Sequence, residues 1–110
     1  MVIQEEAQRI IDNSLSREEL LIAIKFVEQC MAEKNIHATD LQWTILINHL
    51  DEMIKRQKEH TTIPHVDQVM FSEISAEALD IADKVVNHIG GLSEDEKYVL
   101  SIHFENAKLN

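Results

Sequence analysis

Two histidines, His49 and His103, are the residues here whose type and position fit chemistry best, because an imidazole titrates near neutral pH and offers a nucleophilic nitrogen. His49 lies on the flank of an apolar stripe made by Trp43, Leu46, Ile47, Leu50, Met53 and Ile54. Arg56 follows seven positions later, almost two helical turns and about 10 Å along the same flank. A histidine and an arginine so held could receive an anion; equally, both could be snorkelling side chains at the edge of an amphipathic helix. His103 falls inside a second stripe with Val99, Leu100 and Ala107, where a leucine would serve a core better. It is expected to be the more buried of the two rings. A core histidine is commonly a neutral ring bonded to a carbonyl or carboxylate, yet burying an ionisable group is costly unless it is satisfied. Spacing alone favours the plainer reading of each: snorkelling side chains for His49 and Arg56, and a satisfied core ring for His103.

Other chemistry is poorly supplied. The only two glycines, Gly90 and Gly91, close a helix and form no phosphate-binding loop. Cys30 stands alone, which excludes a paired-cysteine metal site or an internal disulfide, and it reads as a small buried residue. His60 and His65 occupy an unpatterned loop and read as solvated, while His37 and His88 fall near helix ends, where a ring meets terminal carbonyls. The acidic pairs Glu5-Glu6 and Asp51-Glu52 read as solvated faces. No metal, no cofactor and no enzymatic activity are expected. With 20 acidic against 10 basic residues the formal net charge is −10. Such a surface repels phosphate backbones and anionic membranes, so direct nucleic-acid binding and membrane docking are not expected. No signal peptide or spanning segment is visible, which makes the cytoplasm the expected compartment.

The elements that must position these residues are helices. Apolar residues make up 45% of the 110-residue chain, and two glycines with one proline are too few for the turns of an all-β domain. A first helix is expected over about Val2 to Asp12, on Ile3, Ala7, Ile10 and Ile11. Ser16 with Glu19 reads as a capping box opening a second, carried by Leu20, Ala23, Ile24, Val27 and Met31. Thr39 with Gln42 opens the third, which carries His49 and Arg56. A loop or irregular turn is expected from His60 to Met70, around Pro64. The fourth helix carries Ile74, Ala78, Ile81, Ala82, Val85 and Ile89, and Ser93 with Glu96 reads as a third box opening the helix of His103. The fold class expected is all-α: a compact five-helix bundle in one domain spanning residues 1–110.

The sequence around both histidines resembles the PTS regulation domain (PRD) family of bacterial sugar-responsive antiterminators and activators. Leu46-Ile47-Asn48-His49, followed by Met53-Ile54-Lys55-Arg56, is similar to that family's first histidine motif, although asparagine stands where aspartate often precedes the histidine. The run from Glu96 to Ala107, EKYVLSIHFENA, is similar to its second. Glu77-Ala78-Leu79-Asp80-Ile81-Ala82 sits where the family has its penultimate helix. The resemblance implies a histidine-phosphorylatable regulatory module in carbohydrate-linked transcription control. In it His49 and His103 would be the phosphorylated residues, near one another, with Arg56 and Asn106 contacting or supporting the phosphate. It also implies a homodimer, phosphoryl donation by phosphotransferase-system phosphocarrier proteins, and action through a regulatory protein partner. A stand-alone domain is expected. The alternative is a helical protein-interaction subunit that keeps the fold and is not phosphorylated.

Overall fold

The computed structural model describes residues 3–110. It contains α1 (Glu5–Asn13), α2 (Arg17–Glu33), α3 (Asp40–Glu59), α4 (Ala76–Ile89) and α5 (Asp95–Lys108). No strand occurs among the described residues. The expected five-helix, all-α fold is the one formed. Val2, where the first helix was expected to begin, lies outside the described residues. Between α3 and α4 the expected irregular stretch runs from Thr61 and closes in one 3-10 turn, Gln68–Phe71, capped by the Asp67 carboxylate on the Val69 N–H.

The apolar spacings become the core. Ile11, Leu20, Val27, Ile47, Leu50, Met53, Ile81, Val85, Leu100 and Phe104 are all fully buried. α4 packs most extensively on α5, while α3 lies against α1 and α2 and meets α5 more sparsely. The Cα trace measures 37 × 34 × 19 Å, so the molecule is about two helix diameters thick. In so thin a body most helices keep one face near solvent.

Helix starts divide into expected and unexpected. The Thr39–Gln42 box forms in both directions: the Thr39 hydroxyl accepts from the Gln42 N–H at 3.2 Å, and the Gln42 carbonyl oxygen accepts from the Thr39 N–H at 2.9 Å. Ser16 does precede α2, but its side chain makes no capping bond; instead its own N–H is taken by the Ser14 hydroxyl at 3.0 Å. The Ser93–Glu96 box does not form. α5 begins at Asp95, and the enclosed Ser93 hydroxyl has no hydrogen-bond partner. The reason is competition, since the Glu96 carboxylate is drawn to Arg56 on α3, a charge-assisted bond stronger than one to a backbone amide. Ser75 opens α4: its hydroxyl caps Ala78 and its N–H donates to the Glu105 carboxylate of α5 at 2.9 Å.

Two positive-φ residues close α3 and α4. His60 (φ 57°) ends α3 in the left-handed conformation, its N–H returning to the last-turn carbonyls. Gly90 (φ 74°) ends α4, and Gly91 (φ 69°) follows with the Gln57 side chain 3.1 Å from where a Cβ would stand.

Candidate functional site

α3 and α5 meet through two polar links. His49 Nδ1 lies 2.8 Å from His103 Nε2, with ring centroids 4.9 Å apart and planes at 79°. Arg56 donates through Nε and Nη2 to the two carboxylate oxygens of Glu96, both at 2.8 Å. Arg56 is seven residues past His49, and Glu96 is seven before His103. The links are therefore two rungs of one antiparallel pairing, about 10 Å apart along each helix.

The histidine rung stands at the edge of the core. Leu46, Leu50 and Met53 on α3, and Leu100, Phe104 and Ala107 on α5, take the buried positions. Both rings are half-buried. His103 is therefore not set deep in the middle of its stripe, as expected, because the buried face of α5 is centred on Leu100 and Phe104. Burial first, then the charge His103 would bring if protonated and that of Arg56, pushes His49 down from the ordinary 6.5 to about 4. Burial likewise lowers His103. Both rings are neutral at pH 7, so one N–H and one lone pair make the bond. Either His49 Nδ1–H donates and its Nε2 carries the lone pair, or His103 Nε2–H donates and its Nδ1 does.

The Glu96 side chain is fully buried and that of Arg56 is 20% exposed. Its carboxylate holds the guanidinium above its ordinary value. A buried carboxylate needs such a partner, since an unpaired charge there would be costly. Arg56 is thus neither open to an anion nor simply snorkelling at the helix edge: its Nε and Nη2 donate to Glu96. Sequence reading missed that pairing because Glu96 also fits an S-x-x-E capping pattern. One signal was present, since Glu96 and His103 repeat in reverse the seven-residue spacing of His49 and Arg56.

Asn106, the other supporting residue expected, is exposed on α5. With His103, Ile45, Leu46, Ile102 and Ala107 it lines a cavity of about 160 Å³. Asn48 is exposed and donates to Glu52 on its own helix at 3.2 Å. Asp51 binds the Ser14 hydroxyl at 2.5 Å, tying α3 to the end of α1. The remaining histidines are elsewhere: His37 meets the Asn35 side chain, His65 meets Asp95, and His88 stacks on Phe26 at 4.1 Å between centroids.

A family model of the PRD domain matches residues 23–107, a span that includes both histidine motifs. The chain belongs to the PRD family. Its fold is that of a PRD-containing transcription regulator from Lactobacillus casei ATCC 334, known from a crystal structure. That protein is 44% identical, covers 98% of this chain with 96% of its own, and superimposes with a TM-score of 0.94. No curated protein matches the sequence. A PRD is a regulatory module, and His49 and His103 both lie within the matched span. No helix among the described residues is long and apolar enough to cross a membrane.

Proposed function

We propose that this PRD is a phosphorylation-responsive module of transcription regulation, with His49 and His103 as its phosphoacceptors. The observation that carries the reading is the 2.8 Å bond between two histidines 54 residues apart in sequence. Both rings are neutral at physiological pH, and a neutral ring has the lone pair that attack on phosphorus requires. The donors are phosphocarrier proteins of the phosphotransferase system.

A phosphohistidine adds about two negative charges to a site flanked by apolar surface. Ile45 and Ile102, which line the cavity beside His103, are 47% and 39% exposed, and Leu41 one turn away is 65% exposed. Such a surface suits self-association of two copies or docking of a regulatory protein partner. Charge placed at its rim changes that association. Arg56 and Asn106 support the modified ring, Arg56 through the positive charge it keeps near His49 and Asn106 through its amide at the cavity.

Incubation with phosphoenolpyruvate and the general phosphotransferase proteins tests the reading. Acid-labile phosphate is expected on the parent chain and is lost when His49 and His103 are both replaced by alanine. A parent that takes up no phosphate, or a double variant that labels equally well, overturns it.

A further inference from the structure

Resting on the phosphoacceptor reading above, we infer that His49 takes its phosphoryl group on Nε2, with His103 as the positioning residue that accepts the proton of His49 Nδ1. The geometry gives the two nitrogens of His49 different work. Nδ1 faces His103 Nε2 at 2.8 Å, a hydrogen-bonding distance, so it is occupied whichever ring donates; in the inferred reactive tautomer it is the donor. In that tautomer the lone pair of the ring is on Nε2. His103 then stands to His49 as an orienting base stands to a nucleophile.

The step balances as follows. The Nε2 lone pair forms a bond to phosphorus, and the phosphorus–nitrogen bond of the donor breaks with its electron pair leaving on the donor nitrogen. The donor is a protein phosphohistidine whose other ring nitrogen is protonated, and it departs as a neutral imidazole. The attacked ring would be left cationic. Its Nδ1 proton instead passes along the existing bond to His103 Nε2, which becomes an imidazolium beside the new phosphoryl dianion. Among the described side chains no other group stands at this bond to take the proton: the guanidinium of Arg56 accepts none, and the Glu96 carboxylate is held by Arg56 through both oxygens. The asymmetry of the pair agrees. Burial lowers both rings, and the Arg56 guanidinium lowers His49 besides, which disfavours a cationic His49. In the other tautomer His103 Nε2–H donates to His49 Nδ1, and only then is the lone pair of His103 on its Nδ1. A phosphoryl group on that ring therefore goes to Nδ1, the opposite isomer.

Phosphoramidate, a small donor whose ammonia leaves with the P–N electron pair, tests this on the full chain without any phosphocarrier. Site-resolved mass spectrometry gives each rate, with exposed His60 as the internal reference, and ³¹P NMR identifies the isomer. His49 is expected to carry phosphate on Nε2. In His103→Gln, whose amide oxygen accepts a hydrogen bond and takes no proton, the His49 rate relative to His60 is expected to fall about 10- to 100-fold, up to the low end of general-base assistance. In His103→Ala, which frees Nδ1, the Nδ1 isomer is expected at His49. Circular dichroism checks that both variants are folded. Phosphate on Nδ1 of His49 in the parent, or an unchanged rate ratio in His103→Gln, overturns the inference and leaves the phosphoacceptor reading standing. Labelling of His60 with none at His49 or His103 overturns that reading and the inference together.

Discussion

Arg56 of α3 grips Glu96 of α5 through two parallel 2.8 Å bonds, and the carboxylate it holds is fully buried. This rung sets the register in which His49 meets His103. An antiparallel slip of α5 by one turn would move both contacts out of reach at once. The pairing thus joins stability to the site: the same alignment that satisfies a buried charge brings the rings together.

Removing either partner of this ion pair is therefore expected to destabilise the fold unequally. Arg56→Ala leaves a buried carboxylate uncompensated and is expected to cost about 3 kcal/mol. Glu96→Ala leaves a guanidinium that already touches solvent and is expected to cost less, about 2 kcal/mol. Arg56→Lys keeps the charge without the fork and is expected to fall between. Urea unfolding of the three variants reads the order. Equal losses would mean the burial difference between the partners does not matter.

Ser93→Ala is expected to be neutral or stabilising by up to about 1 kcal/mol, since it removes an enclosed hydroxyl that has no partner. A capping serine would give the opposite sign, a loss of about 1 kcal/mol. The thermal midpoint decides between them.

That sign reversal shows what the sequence could and could not carry. Apolar spacing made the five helices legible because each stripe, such as Leu46-Ile47-Leu50-Met53-Ile54, is a local periodic signal that the core then enforces. The Thr39–Gln42 box was legible for the same reason: both partners lie within one turn, and the Gln42 oxygen closes it while also accepting from Asn110. Ser93 and Glu96 show the same local pattern, but Glu96 had a distant competitor. Its partner is 40 residues away, and a charge-assisted bidentate bond outweighs a cap. His49 and His103 were identified as the residues to watch. Their contact, however, depends on antiparallel register, which no single helix contains. His103 lies shallower than a stripe of Val99, Leu100 and Ala107 predicts, because Phe104, fully buried with Leu100, turns the buried face away from the ring.

Acid is expected to weaken the fold through His49. Its folded value of about 4 is below the ordinary 6.5, so the unfolded chain binds the proton first as pH falls. The contribution is complete above about pH 6.5 and is lost as pH drops towards 4. One pKa unit corresponds to about 1.4 kcal/mol, and with solvent at the edge of the pair the loss by pH 4.5 is about 2 kcal/mol. Carboxylates such as Glu19 and Glu105, held below their ordinary value by hydrogen bonds, add their own losses at the acid end. The measurement is therefore a difference. Urea midpoints at pH 7 and pH 4.5 are expected to fall further apart in the parent than in His49→Gln. Parallel shifts would remove His49 as the cause.

Aspartate at the two histidine positions is expected to separate charge from cavity. In His103→Asp the new carboxylate lies near His49 Nδ1 and accepts its N–H, so His49 is expected to titrate above 6.5, several tenths to more than a unit beyond an ordinary histidine. NMR titration of the ring reads that directly, and a ring that stays below 6 would show that the carboxylate turns away. The same variant puts a fixed negative charge beside exposed Ile45 and Ile102. If copies associate through that surface, sedimentation should show His103→Asp shifted towards monomer at concentrations where the parent dimerises, while His103→Ala, which opens a small void without charge, shifts less. His49→Asp is expected to act in the same direction. Its partner ring, lowered by burial alone, is then expected to rise when the new carboxylate pairs with it. Both aspartate variants assembling like the parent would separate the histidine rung from self-association and leave a regulatory protein partner as the target of the charge.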